Sequence, residues 1–528
     1  MEMDRNNYAK IALSIIPRIL SAMDRSEISD TFGCIDKSYW HYKTSDFPSA
    51  RYQEPILTLA ILHENKFRNN IYFKNPMAKL WADAGLEFLS HIQNKDGSFN
   101  EWYPNERSFC ATAFCTYSAS ETFRILGYRP TDYNSILNML EKAGLWLGKN
   151  EENVSNQQAG AIAALYNIYK ITGERKFKRY AEDKLTNIHK AQSKEGWLPE
   201  YGGADPSYLT VTIDFLGKYY KESNNKKTLE IVTPALKFLK YFLHTDGSIG
   251  GGYGSRNSEI KVPHGLEIFS KLNENARFLA DGVHEKIMDT IHPGIMDDRY
   301  AFIYHVSYLQ ALLEHKKSTP PSMPSKSKPD RLFDESGLFV RNQEYNIVIN
   351  LKKGGVYKLI GNDRTFNDYG MIIVSGDKLL TTNWNNSSKY RKKENEIIVR
   401  GAFKYINSGK VLSPQKNILF RCFLLTGGRI QTATSWLKEV LRKKLILEAK
   451  DSQILYTRHF LLEDKKIIVT DEVQIEDEIK IDGIYSPSYF SSFYSPTSAF
   501  FDKRSLKNRD SLDIKELRDG PIKREFVF

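Results

Sequence analysis

At 528 residues, with 41% hydrophobic and 26% charged content, the chain is too long for one compact core and too apolar to stay disordered. Lysine and arginine number 75 against 64 aspartates and glutamates, a net charge of +11, which favours an anionic partner through long-range attraction. The four cysteines, Cys34, Cys110, Cys115 and Cys422, include no CxxC pair, which argues against a zinc site or a disulfide framework.

The stretch Met1–Leu20 carries Asp4 and Arg5 ahead of apolar residues at helical spacing. It reads as neither a secretory signal nor a membrane span, and the cytoplasm is the expected location. Apolar residues then recur at i, i+3, i+4 and i+7. The spacing predicts helices over Ile56–Leu62, Leu80–Ile92, Ala111–Leu126, Ile136–Leu147, Ala159–Ile171, Tyr208–Tyr220 and Leu229–Leu243. Short connections bearing Gly, Asp, Asn or Pro join them as successive αα-hairpins. Three helices end in similar phrases, Gln93–Phe99, Gln192–Trp197 and His244–Ile249, each with a Gly suited to a left-handed cap. Recurring loops of one kind predict a ring of helical hairpins, an (α/α) toroid, with those loops at its mouth.

Residues 316–330 are rich in Pro, Ser and Lys and mark a linker between a toroid domain, 1–315, and a second domain, 331–528. There the period changes. Tyr345–Leu351, Glu396–Arg400, Ile418–Leu425, Leu445–Ala449 and Lys466–Thr470 read as strands between Gly, Asn and Asp turns. Many short strands without intervening helices predict an antiparallel β-sandwich. From Phe501 onward the tail is charged and poorly patterned, and partial disorder is the expectation.

Acid–base chemistry is expected from the toroid, which holds ten of the eleven histidines. The loop Glu195–Leu209 is polar and glycine-bearing and leads into a helix. Asp205 suits its N-cap and Pro206 its first turn, so Tyr208 faces whatever the loop encloses, beside Glu200 and Tyr201. A packing tyrosine behind an ordinary cap is the plain alternative. Asn156, next to Gln157, opens the helix Ala159–Ile171; its amide suits a carboxylate ligand, and a helix cap explains it equally well. The stretch Gly250–Asn257 and the following Pro263-His264-Gly265 gather Tyr253, Arg256, Asn257 and His264 among glycines that let backbone approach a ligand. Asn100–Arg107 supplies Trp102, Tyr103 and Glu106 for sugar contacts or for capping. His305 lies on an apolar helical face and reads as core.

With the order toroid, linker, sandwich, the phrases Phe333–Phe339, Tyr345–Gly355 and Arg458–Asp471 resemble the heparinase II/III-like and alginate-lyase-like polysaccharide lyases, in the form found among surface-polysaccharide genes. The resemblance implies an Asn at a helix start, met by Asn156, with Gln157 where His often follows. It implies a Tyr after a Gly-bearing loop, met by Tyr208, and a later His or Tyr, met by His264 or Tyr253. The implied reaction is β-elimination at a uronic acid. Asn156, with Arg256 or Asn257, would stabilise the enolate-like state, and Tyr208 or His264 would move the proton. Gln157, Glu200, Tyr201, Trp102, Tyr103 and Glu106 would contact an acidic polysaccharide or oligosaccharide. No cofactor or metal is called for, and no nucleic-acid motif accompanies the positive charge. A uronate C5-epimerase, a toroid glycoside hydrolase using Glu200 and Asp205, and a non-catalytic glycan-binding protein stay open, as does the oligomeric state.

Overall fold

Two kinds of helix alternate from Asn6 to Glu314 in the computed structural model, which describes residues 5–128, 133–315, 328–361, 365–376, 378–406, 413–442, 449–475, 481–486, 510–512 and 520–528. In chain order they are α1 (Asn6–Ala22), α2 (Lys37–Trp40), α3 (Ile56–Glu64), α4 (Pro76–His91), α5 (Phe109–Ile125), α6 (Asn134–Lys149), α7 (Ser155–Thr172) and α8 (Arg175–Ala191). They continue as α9 (Pro206–Ser223), α10 (Lys226–Leu239), α11 (His264–Ser270), α12 (Glu274–Glu285) and α13 (Asp298–Glu314). Helices α3, α5, α7, α9, α11 and α13 pack side by side into a closed ring, with α4, α6, α8, α10, α12 and α1 outside it.

Sequence sets which ring each helix joins. Outer α8 buries a single stripe, Phe177, Ala181, Lys184, Leu185 and Ile188, and turns its other charged residues away from the core. Inner α7 is buried on every side from Ser155 to Ile168 and is built from small residues. A Cβ on Gly160 would lie 2.5 Å from the Phe114 ring, so α5 and α7 approach as closely as they do only because that carbon is missing. The recurring phrases close alike: the Gln93 and Gln192 amides donate to Gly97 and Gly196 carbonyls at 3.0 and 2.8 Å, and also to the neighbouring outer helix at Met139 and Ile231. Gly97, Gly196 and Gly247 all take positive φ. Each phrase leads toward the start of an inner helix, so all three lie at one end of the ring.

A hairpin in that end, β1 (Pro199–Glu200) with β2 (Gly203–Ala204), precedes α9. The second domain holds two antiparallel sheets. The smaller runs in chain order through β3 (Lys328–Phe333), β4 (Leu338–Asn342), β5 (Asn346–Asn350), β6 (Val356–Ile360) and β7 (Thr365–Asp368). The larger gathers β8 (Ile372–Ser375), β9 (Lys378–Thr381), β10 (Ser388–Lys393), β11 (Glu396–Ile406), β12 (Lys450–Leu462), β13 (Lys466–Gln474), β14 (Gly483–Ser486), β15 (Asp510–Leu512) and β16 (Ile522–Val527). Phe339, Ile347, Ile349, Tyr357 and Leu359 of the smaller sheet meet Ile397, Val399, Phe460 and Val469 of the larger. Its other face, Leu338, Val340, Val348 and Val356, joins the toroid core. Phe333 seals that junction with ring centroids 4.9 Å from Phe238 and 5.7 Å from Phe242.

Residues 418–425 are helical, not extended: they belong to α14 (Pro414–Leu425), which leads toward α15 (Gln431–Arg442). An apolar run of that length fits either structure. Ser413 decides it by capping the Lys416 amide, with Pro414 in the first turn. The final strand, β16, arises from the poorly patterned tail and pairs with β13. Of the expected linker 316–330, residues 316–327 lie outside the described residues and 328–330 open β3; residues 445–448 of the strand expected at Leu445–Ala449 also lie outside them. Among the described residues no helix is long and apolar enough to cross a membrane.

Candidate active site

The β1–β2 hairpin turns through Tyr201 and Gly202, both at positive φ, as a two-residue hairpin turn requires. That turn aims Glu200 at the start of α7. Glu200 Oε1 accepts hydrogen bonds from the Asn156 backbone N–H at 3.0 Å and from its side-chain amide at 2.7 Å. Asn156 is therefore not the cap; Val154 stands at the N-cap position and Asn156 lies inside the first turn. The Glu200 carboxyl is buried, and among the described residues its Oε2 accepts no hydrogen bond, lying 3.6 Å from Arg256 Nη1. Burial raises its pKa to about 7, against the opposing pull of Arg256 and Asn156.

Arg256 is the centre of the cluster. Its guanidinium lies 3.9 Å from the Tyr208 ring centroid and 4.5 Å from that of Tyr201, a cation held between two aromatic faces. Gln157 joins through its amide to the Tyr201 hydroxyl at 3.3 Å. Burial raises the Tyr208 pKa, while Arg256 and a hydrogen bond from Tyr304 pull it down. Asp205 organises both segments. One oxygen caps α9 through the Tyr208 N–H at 2.9 Å, and the other accepts the Arg256 N–H at 2.8 Å.

Other residues expected at the site point elsewhere. The Tyr253 hydroxyl is buried between His244 Nε2 at 2.9 Å and the Gly250 N–H at 3.0 Å, so Tyr253 is a structural buttress. Asn257 turns its oxygen to Lys353 at 2.8 Å and Asn383 at 3.2 Å. His264 opens α11, but its Nε2 lies 3.9 Å from Glu314, at the far end of α13 from Asp298, and burial lowers its pKa. Glu106 accepts the Glu101 and Trp102 N–H groups at 2.8 and 2.7 Å and staples its own loop. Tyr103 packs edge-on against Phe420 of α14, 5.7 Å between centroids. Trp102 remains on the rim, 51% exposed, with the Arg299 guanidinium 4.0 Å from its ring.

Tyr304, Tyr300, Arg299 and Glu101 were not singled out by sequence. Tyr300 and Tyr304 stack on α13, and Arg299 pairs with Glu101 at 2.6 Å. Their signal was a polar stripe, Arg299-Tyr300 and Tyr304, at the i, i+4 spacing of an inner helix that otherwise reads as core. His305 is core, bonded to Thr58 at 2.7 Å. Among the described residues no group of three or more His, Cys, Asp or Glu side chains is gathered as metal ligands.

No protein-family profile and no curated protein matches the chain. Solved structures do. The chondroitin AC lyase of Streptomyces coelicolor A3, in complex with chondroitin sulphate, aligns over 91% of this chain and 68% of its own, at 9% identity and a TM-score of 0.58. A mutant of that enzyme aligns over the same shares at 10% identity and 0.52. Heparinase III aligns over 92% of this chain and 80% of its own, at 10% identity and 0.44. The likeness is one of fold. It covers both the helical toroid and the antiparallel β domain that follows it.

Proposed function

We propose that the protein cleaves a hexuronate-containing acidic polysaccharide by β-elimination at the Asn156–Glu200–Tyr208–Arg256 cluster. The observation that carries this reading is the Arg256 guanidinium stacked 3.9 Å from the Tyr208 ring: a permanent cation beside a proton-transfer group at the mouth of the ring. A sugar carboxylate resists loss of the proton on the adjacent carbon until its charge is offset. Arg256 and the Asn156 amide are the groups that would offset it and stabilise the enolate-like state. Tyr208 takes the C5 proton as phenolate, a form that burial opposes and that Arg256 and the Tyr304 hydrogen bond favour. The C4–O bond breaks as the C4=C5 double bond forms, and the same proton passes from Tyr208 to the departing O4. Asp205 is committed to two backbone amides, which speaks against the paired-carboxylate hydrolysis that would need it as second acid.

Wild-type protein incubated with a panel of acidic polysaccharides should develop the ultraviolet absorbance of an unsaturated uronate. Solvent deuterium appearing at C5 without that absorbance would point to epimerisation, and neither signal with any polymer would sink the enzymatic reading.

Glu200 adds a pH dependence. Its carboxyl is protonated below about pH 7 and ionised above it. The ionised form places a negative charge on the groups that must receive the substrate carboxylate. Binding should therefore be tightest below pH 7, and KM should rise by up to about tenfold per pH unit above it, one protonation per binding event. In Glu200→Gln that rise should vanish. A wild-type KM that stays flat between pH 6 and 9 would remove Glu200 from the binding step.

A further inference from the structure

The turn Lys352-Lys353-Gly354-Gly355, between β5 and β6, belongs to a sequence phrase that the chemistry above leaves unused. Gly354 and Gly355 both take positive φ, and a Cβ on Gly354 would lie 2.2 Å from the Thr382 carbonyl oxygen. The turn folded in this way carries Lys353 to the Gly250–Asn257 loop of the toroid. Lys353 is buried, and its Nζ donates to the Gly252 carbonyl at 2.9 Å, the Gly254 carbonyl at 2.5 Å and Asn257 Oδ1 at 2.8 Å. Three acceptors use all three N–H bonds of an ammonium. None of the three carries a charge. Burial lowers the Lys353 pKa to about 7 against the pull of nearby Asp205, so burying this amine among neutral acceptors is costly to stability and its placement calls for a reason.

The reason lies in what it holds. Gly250–Asn257 contains four glycines and Asn257 at φ +52°, a segment with little conformational preference of its own. Its one cationic side chain is Arg256. The second domain grips this loop again through Asn350 Nδ2 on the Tyr253 carbonyl at 2.7 Å and Asn385 Nδ2 on the Ser255 carbonyl at 3.0 Å. Lys353 sits at the middle of that grip, between the residues on either side of Arg256.

We infer that Lys353 is a positioning residue: it fixes the Gly250–Asn257 loop from the β domain and so sets the Arg256 guanidinium over Tyr208, making the β domain part of the site. The anion-binding consequence rests on the function proposed above; the effect on the loop does not.

The test uses full-length protein and two readouts. In Lys353→Met, hydrogen exchange at the Gly254 and Arg256 amides should accelerate at least tenfold. Glu195→Ala, which removes a different contact between the domains, to the Glu335 and Ser336 amides, should leave that exchange unchanged. In a Tyr208→Phe background, where turnover is silenced, affinity for chondroitin sulphate should fall at least tenfold with Lys353→Met. Adding Lys353→Met to Arg256→Ala should produce no further loss, because Lys353 acts through Arg256. Should Lys353→Met not fold, Lys353→Gln, which keeps two donors, should give the same pattern at smaller amplitude. Unchanged exchange in the loop, or losses that add fully to those of Arg256→Ala, would overturn the inference. If the unmodified protein binds no acidic polysaccharide, the proposed function falls, while the exchange measurement still decides the role of Lys353.

Discussion

Tyr208→Phe is expected to lower turnover of a uronate polymer by about 10²–10⁴-fold while changing its affinity by less than about threefold, because the substitution removes a proton carrier and leaves the ring. The ring is what Arg256 stacks on, so the cation should stay in place. In the proposed reaction the hydroxyl carries the proton from C5 to O4; its hydrogen-bond partner is the Tyr304 hydroxyl of α13. Product absorbance gives the rate and calorimetry with the inactive variant gives the affinity. A Tyr208→Phe protein that retains the wild-type rate would require another base. His264 is poorly placed for it, since its ring points toward Glu314.

The helical half of the molecule was legible because burial on one or more sides imposes a 3.6-residue period, and every helix read from that period is present. Ile418–Leu425 was misread because a short unbroken apolar run carries no period, and the informative residues, Ser413 and Pro414, precede it. Asn156, Glu200 and Tyr208 were legible as a group since each lies at or just before the start of an inner helix, where a ring must bring chain segments together. Tyr253 and Asn257 were not. Their side-chain directions are set by His244 and by Lys353, the latter nearly a hundred positions away in another domain. Nothing local in a glycine-rich segment tells which of its side chains turn inward.

Arg458→Met is expected to destabilise the β domain by about 3–5 kcal/mol, the range for removing one partner from a buried ion pair. Arg458 and Asp471 face each other across β12 and β13, and both are fully buried. The guanidinium reaches Asp471 at 2.6 Å and Asp368 of the other sheet at 2.6 Å, so one side chain ties the two sheets together. Arg524 of β16 also contacts Asp368 at 3.0 Å and pairs with Asp471. Methionine would leave two buried carboxylates to that one remaining cation. Urea unfolding followed by circular dichroism would measure the loss, and a shift below about 1 kcal/mol would show that Arg524 alone suffices. The network also sets a pH response. The charges of Arg458 and Arg524 outweigh burial and hold the Asp368 pKa below its unfolded value. Its contribution to stability is present above the ordinary carboxylate range and is lost as the pH falls through the folded-state pKa.

The five strands from Lys328 to Asp368 are wrapped on both sides, by helices on one and by the second sheet on the other. A layer shared in this way has no spare face to show to solvent. Melting it strips the helical ring of Phe333, Val340, Val348 and Val356 and, in the same event, strips the outer sheet of Ile347, Ile349 and Tyr357. The polypeptide should accordingly melt as one cooperative body, with a single calorimetric endotherm, and a protease cut between the two halves should release neither as a well-behaved fragment.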